Sequence, residues 1–292
     1  IDPTSQSIGK AFAIAVIANL LFTILEVFFA LRVHSSSLLA DAGHNFGDVF
    51  GLSLAWFAHW LLSRKPKAKF SYGYKRATIV SAFINAVILI VTSILIAIHS
   101  IDALRHPEHV AEGVVMVVAL IGIFVNAGTA MLFIRNQKDL NVKGAFLHLA
   151  FDALISLGVV IAAVIVYFTH WFWLDPVVGL CIVAIILWGT WSLFRKSLDL
   201  MLDAVPHEID HRDVKAFLLS WPGITDIHDL HIWALSTSEV ALTAHLVLPD
   251  RYLDDAEFGQ INCALLKRFG IKHTTLQMEK GTVKDIDSCC GG

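Results

Sequence analysis

The sequence predicts a membrane α-helical bundle of six transmembrane helices, followed by a small cytoplasmic α+β domain of αββαβ order. Three observations carry that prediction. The 292-residue chain is 56% hydrophobic and only 16% charged, too oily for an ordinary soluble domain. Six apolar stretches, each near the ~20 residues a bilayer needs, fill its first two thirds. After Leu202 the chain turns polar, and its periodicity alternates between helix-like and strand-like. Residues 8–204 are therefore assigned to the membrane domain and 205–292 to the cytoplasmic one.

The six stretches run at about Ala11–Leu31, Leu38–Leu62, Ala77–Ile101, Gly113–Ile134, Gly144–Tyr167 and Phe172–Phe194. The opening IDPTSQ reads as a trimmed start and is set aside. An even number of spans returns both termini to one side. Arg64, Lys65, Lys67, Lys69, Lys75 and Arg76 follow the second span, Arg135, Lys138 and Lys143 the fourth, and Arg195 and Lys196 the sixth. The opposite connections carry only Arg32 and Arg105, so the positive-inside rule puts both termini in the cytoplasm. His170-Trp171-Phe172-Trp173 reads as an interfacial aromatic belt, with Asp175 as cap and Pro176 in the first turn of the sixth helix.

In the polar third, Pro206 opens an amphipathic helix that runs to about Trp221, where Pro222-Gly223 stops it. Ile224–Leu235 and Glu239–Leu248 alternate like paired strands, Asp254–Phe269 reads as a second helix, and His273–Glu279 as a third strand. That order implies helices on one face of a sheet.

Polar residues inside the spans carry the chemistry. His44 and Asp48 stand at i and i+4 in the second span, and His148 and Asp152 repeat the spacing in the fifth. A central Asp costs ~2.5–3.5 kcal/mol on insertion, so such residues mark function. Two imidazoles and two carboxylates form a four-ligand set for a tetrahedral divalent ion. The ionised set carries two negative charges, so one dication neutralises it, and without metal it takes up protons. Metal and protons then compete for one site. Coupled to a change of accessible side, that competition is antiport. Mixed imidazole and carboxylate favours Zn2+, with Co2+ and Cd2+ as companions, over Mg2+, Ca2+ and Mn2+.

Asp41, one turn before His44, is placed to accept from that ring and orient it. Gly43, Gly47 and Gly51 form a stripe that admits another helix, either to complete the metal site or as ordinary packing. Asn19, Asn85 and Asn126 read as interhelical hydrogen-bonding residues. Glu26 reads either the same way or as a proton relay.

The stretches LLADAGHNFGDV, FSYGYKRA, NVKGAFLHLAFDALISLGVV, LDPVVGL and HDLHIWAL resemble the cation diffusion facilitator family in its zinc-transporting branch. That branch includes bacterial cobalt-zinc-cadmium efflux proteins and vertebrate zinc transporters. The resemblance implies a homodimer that exports Zn2+ from the cytosol in exchange for H+. It implies Zn2+ also as a structural ion of a metallochaperone-like domain. The family's intramembrane ligands fall on His44, Asp48, His148 and Asp152; manganese branches carry Asp at the two histidine positions. In the cytoplasmic domain, family ligands fall on His228, His245 and Glu279, whereas Gln277 stands where a third histidine is expected. A metal-free pair of strand histidines is the alternative. His231 is a further candidate, alternating onto the other face from His228. Cys289 and Cys290 resemble terminal cysteine ligands of some relatives, or form a tail that merely bears thiols. A loop metal site of some relatives maps onto Lys67, Phe70 and Tyr74 and is expected to be absent. The resemblance also implies a charge interlock joining Lys75 and Arg76 to Asp203, where positive-inside topology alone explains the basic residues equally well.

Other classes fit less well. No nucleic-acid motif is present. An intramembrane metalloenzyme is disfavoured, because HExxH is absent and four protein ligands close the open position of a catalytic zinc. A membrane-bound metal sensor, signalling through its cytoplasmic domain, is the alternative function. Cys181, Cys263, Cys289 and Cys290 show no disulfide framework and are expected to be reduced. The expected location is the inner or plasma membrane of a bacterium, or a vesicle membrane of a eukaryote.

Overall fold

Six long helices account for the apolar two thirds of the chain: α1 (Pro3–Val33), α2 (Ser36–Leu62), α3 (Ala77–Arg105), α4 (Glu112–Met131), α5 (Leu140–Thr169) and α6 (Leu174–Met201). The computed structural model describes residues 3–62, 64–106, 110–132 and 140–281, without the side chains of 3–13, 59, 140–145, 147 and 148. Cys289 and Cys290 lie outside the described residues, as do Ile134, Arg135 and Lys138. The chain divides into two compact units, residues 1–54 with 84–193, and residues 55–83 with 194–292.

Among the described residues five helices are long and apolar enough to cross a membrane; α2 is the exception. Its 27 residues span about 40 Å, ample for a bilayer. What lowers its apolarity is the run Asp41, His44, Asn45 and Asp48, so the least oily of the expected spans is the one that carries the candidate site. Several helices outrun the apolar stretches that announce them. Helix α6 continues from Phe194 to Met201 because no breaker intervenes before Pro206.

In the first unit Phe22, Leu38, Val115, Val118, Ala119, Val159 and Val183 are buried together. Phe124, Phe168 and Trp188 are at least three-quarters exposed, as lipid-facing residues should be. The glycine stripe of α2 seats α3. A Cβ at Gly43 would lie 2.6 Å from Ile96 Cδ1, one at Gly47 2.0 Å from Leu89 Cδ2, and one at Gly51 2.7 Å from Asn85 Nδ2. The helix admitted by this stripe is therefore not α5, which bears the second ligand pair.

Asp175 was expected to cap its own helix, and it caps another. It sits within the first turn of α6, buried to 6% exposure. Its carboxylate accepts from Ser35 Oγ (2.7 Å), Ser36 N (2.7 Å), Ser37 N (3.4 Å) and Ser37 Oγ (2.5 Å) at the start of α2. Four orphan donors are satisfied by one anion at a helix N-terminus, where the dipole also favours negative charge. Gly179, one turn on, lets α6 close in: a Cβ there would meet Ser36 O at 2.7 Å.

The second unit contains α7 (His211–Leu219), β1 (Asp226–Ala234), β2 (Val240–Val247), α8 (Asp255–Phe269) and β3 (Ile271–Glu279). The sheet order is β1-β2-β3, with β1 and β2 antiparallel and β2 and β3 parallel, as the crossover through α8 requires. Helix α7 begins later than Pro206 because Asp210, accepting from Arg212 N at 2.7 Å, is its cap. An Asp254/Glu257 capping box opens α8, and Gly270 at φ 70° closes it. Leu218, Ile227, Leu242, Leu246, Ile261 and Leu265 form the core.

Candidate metal centre

His44 and Asp48 project from α2 one turn apart and meet Asp152 of α5. His44 Nε2 lies 3.7 Å from Asp48 Oδ2 and 3.3 Å from Asp152 Oδ1. One donor atom from each of the three falls within 4.8 Å of the others. Zinc bonds of about 2.0–2.1 Å in a tetrahedron set donor atoms roughly 3.3 Å apart, so this spacing suits one such ion. The Asp152 side chain is 4% exposed, those of His44 and Asp48 20% and 30%. His148 lies on α5 one turn before Asp152, and its side chain is outside the described residues.

The surroundings bear on two expectations and add residues that the sequence reading missed. Asp41, expected to accept from the His44 ring, accepts through Oδ2 from Ser156 Oγ at 2.8 Å. Ser156 follows Asp152 by four residues on α5, so it presents a hydroxyl on the face that approaches α2. Asn45 Nδ2 donates to Glu26 Oε2 at 2.9 Å. Glu26, Asp41 and Asn45 are all buried, so polar bonds tie α1, α2 and α5 together beside the cage. The repeated four-residue step from Asp152 to Ser156 was the available signal. Asn126 does not make the expected interhelical bond: neither amide atom has a hydrogen-bond partner among the described residues.

The second unit gathers His228, His245 and Glu279. His228 and His245 are direct cross-strand partners with ring centroids 5.0 Å apart. His228 Nε2 lies 3.0 Å from Glu279 Oε2, and His245 Nδ1 lies 3.0 Å from Glu279 Oε1. Gln277, standing in for the expected third histidine, donates to Glu279 Oε1 at 2.8 Å. Burial alone would raise the Glu279 pKa, but the Gln277 amide and both imidazoles hold it below the usual carboxylate value. Two imidazoles and a carboxylate match a zinc donor set.

His231 lies on the same face as His228, contrary to strict alternation. A bulge at Asp229 (φ 50°) puts three steps on β1 opposite two on β2, pairing His228 with His245 and His231 with Thr243. Positions 243 and 245 share a face, and so do their partners. Asp229, unforeseen in the sequence, bridges the histidines: Oδ1 lies 2.6 Å from His231 Nε2 and Oδ2 3.5 Å from His245 Nε2. The hydrogen bond with His231 keeps the Asp229 carboxyl below its ordinary pKa.

In the same unit Arg76 pairs with Asp203, but Lys75 does not. Lys75 Nζ lies 2.5 Å from Glu239 Oε2 and 3.0 Å from His273 Nε2, because β2 begins beside the loop. Lys272 adds a 3.1 Å bond to Glu239 Oε1. The Phe70 and Tyr74 rings pack with centroids 4.9 Å apart and planes tilted by 36°. Cys181 and Cys263 are free thiols.

Lys75 above all, with Lys272 and His273, holds the Glu239 carboxyl down to about 2, from an ordinary 4.5. A carboxylate with a lowered folded pKa stabilises above its unfolded value and loses that effect as pH falls through the folded one. Wild type should therefore lose more thermal stability than Glu239→Gln between pH 5 and pH 3, measured by melting in detergent. Equal slopes would show that the Lys75 pair contributes nothing to acid sensitivity.

A family model described as the cation efflux transmembrane domain matches residues 12–202, and one described as the cation efflux protein, cytoplasmic domain, matches 206–281. The chain is 33% identical over 269 residues to the metal cation efflux system protein CzcD of Cupriavidus metallidurans, covering 91% of this chain and 85% of that protein. It is 32% identical over 264 residues to a cadmium, cobalt and zinc/H(+)-K(+) antiporter of Bacillus subtilis, covering 88% and 85%. With the zinc transporter ZitB of Escherichia coli it shares 32% over 261 residues, covering 88% and 83%.

Proposed function

We propose, from the premise that this chain belongs to the cation diffusion facilitator family, that it is a homodimeric antiporter exporting Zn2+ from the cytosol in exchange for protons. Co2+ and Cd2+ are further cargoes that the same donors accept. Residues 8–204 form the membrane domain and 205–292 a cytoplasmic metal-binding and dimerisation domain, with both termini in the cytoplasm.

His44, Asp48, His148 and Asp152 hold the ion in transit. The observation that carries this reading is the meeting of two α2 donors with a buried α5 carboxylate at tetrahedral spacing. An ion there neutralises two carboxylates. Its departure leaves them in low dielectric, where protons replace it on the return step. Rocking of helices about the fixed site switches access. His228, His245 and Glu279 hold a structural zinc in the cytoplasmic domain, and Cys289 and Cys290 are further ligands at its end.

Proteoliposomes loaded with a zinc indicator test this. An imposed pH gradient should drive zinc accumulation, and a protonophore should collapse it. Zinc flux indifferent to the gradient would contradict proton coupling; complete absence of flux would favour a sensor.

A further inference from the structure

The first unit gathers a separate set of metal-binding side chains where α3 ends and α2 and α6 begin. A cavity of about 180 Å³ there is lined by His34, His99, Asp102 and His106, with Asp175 in its wall. His99 and Asp102 stand at i and i+3 in the last turns of α3, and His106, just past the end of that helix, donates its backbone N–H to Asp102 O at 3.0 Å. His34 faces them from the junction of α1 and α2. Asp175 is engaged by the serines of α2, so it contributes negative potential and not a ligand. An adjoining cavity shares Val110 and Asp175 with the first and is lined by Glu112, whose Oε1 is buried with no hydrogen-bond partner among the described residues.

Three imidazoles and a carboxylate form a donor set for Zn2+, not for the oxygen-seeking Mg2+ or Ca2+. The cavity stands at the end of the helix that carries the cage, since Ser36 to His44 is about 12 Å along α2. The charge bias of the loops makes this end the non-cytoplasmic one, where an exported ion leaves.

We propose that this histidine vestibule is a further Zn2+ site, weaker than the cage, that receives the ion from the cage and hands it to the outside. The role in export rests on the transport reading above; the binding of metal does not. Weak binding follows from the geometry. Among the described residues, the vestibule's donors do not converge within 4.8 Å as those of the cage do. His34, Asp102 and His106 are exposed, so metal must order their side chains as it binds. An ion held loosely at the exit is released, whereas a tight site there would block turnover.

Metal titration of the full-length protein in detergent tests the site. A protein carrying Asp152→Ala and His245→Ala, which disable the cage and the cytoplasmic cluster, is titrated with Zn2+ by calorimetry and with Co2+ by absorption. It should retain a weak equivalent that is lost, or weakened about tenfold or more, when His99→Ala and His106→Ala are added. In the otherwise intact transporter the same pair should slow zinc release. An identical metal count and affinity with and without His99 and His106 would overturn the proposal. Because the readout is binding, a protein that carries no flux at all still decides it, so the two readings fail separately.

Discussion

Asp152→Ala is expected to abolish zinc flux in reconstituted vesicles while leaving a folded dimer of unchanged melting behaviour. Asp152 is the most buried of the described cage residues, and its Oδ1 lies 3.3 Å from His44 Nε2. Removing it takes away a ligand and one of two negative charges, so a bound dication would sit uncompensated in a low-dielectric bundle. Loss of a group that merely supports a ligand costs about 10–100-fold, so loss of the ligand itself should exceed 100-fold. Asp152→Asn, which keeps the size and loses the charge, should be nearly as damaging. Flux within twofold of wild type in either variant would remove Asp152 from the site. Ser156→Ala separates ligation from packing: it loosens the Asp41 contact without touching a ligand, so flux should fall far less.

Asp175→Ala should cause the largest loss of stability in the bundle. The carboxylate satisfies two hydroxyls and two backbone N–H groups at the start of α2, all buried. Each donor left without a partner costs about 1–3 kcal/mol, less whatever water recovers. A net loss of about 3 kcal/mol is expected, which for a chain of this size lowers the melting midpoint by on the order of 5–10 °C. Asp175→Asn, still an acceptor but without the charge that favours a helix N-terminus, should recover part of it. An unchanged midpoint in Asp175→Ala would mean that the junction of α2 and α6 is held by packing alone. Transport should suffer as well, because the same junction sets the position of the helix that bears His44 and Asp48.

Much of this was legible because local spacing dictates it. The i, i+4 pairs fix which face of α2 and α5 bears donors, and the apolar stretches locate every long helix. Other features depend on partners that no local pattern names. Asp175 beside Pro176 looks like the cap of its own helix, yet the free donors of α2 compete for it and win. Gly43, Gly47 and Gly51 announce a close neighbour without saying that it is α3. Lys75 and Arg76 are adjacent in the chain but reach Glu239 and Asp203 respectively. His231 shows the effect most clearly. Alternation assigns it to the wrong face, and the single left-handed residue Asp229 reverses that assignment for everything on β1 beyond it. Asp sits in that conformation more readily than most residues, which is the one hint the sequence offered.

X-ray absorption at the zinc edge tests the central claim most directly, using protein with the cytoplasmic cluster, the terminal thiols and the vestibule removed by His228→Ala, His245→Ala, Cys289→Ser, Cys290→Ser, His99→Ala and His106→Ala. The convergence of α2 and α5 on one ion predicts a four-coordinate shell of nitrogen and oxygen near about 2.0 Å, with imidazole scattering, that disappears in Asp152→Ala. A shell rich in sulfur, a six-oxygen shell, or zinc retained unchanged without Asp152 would contradict it.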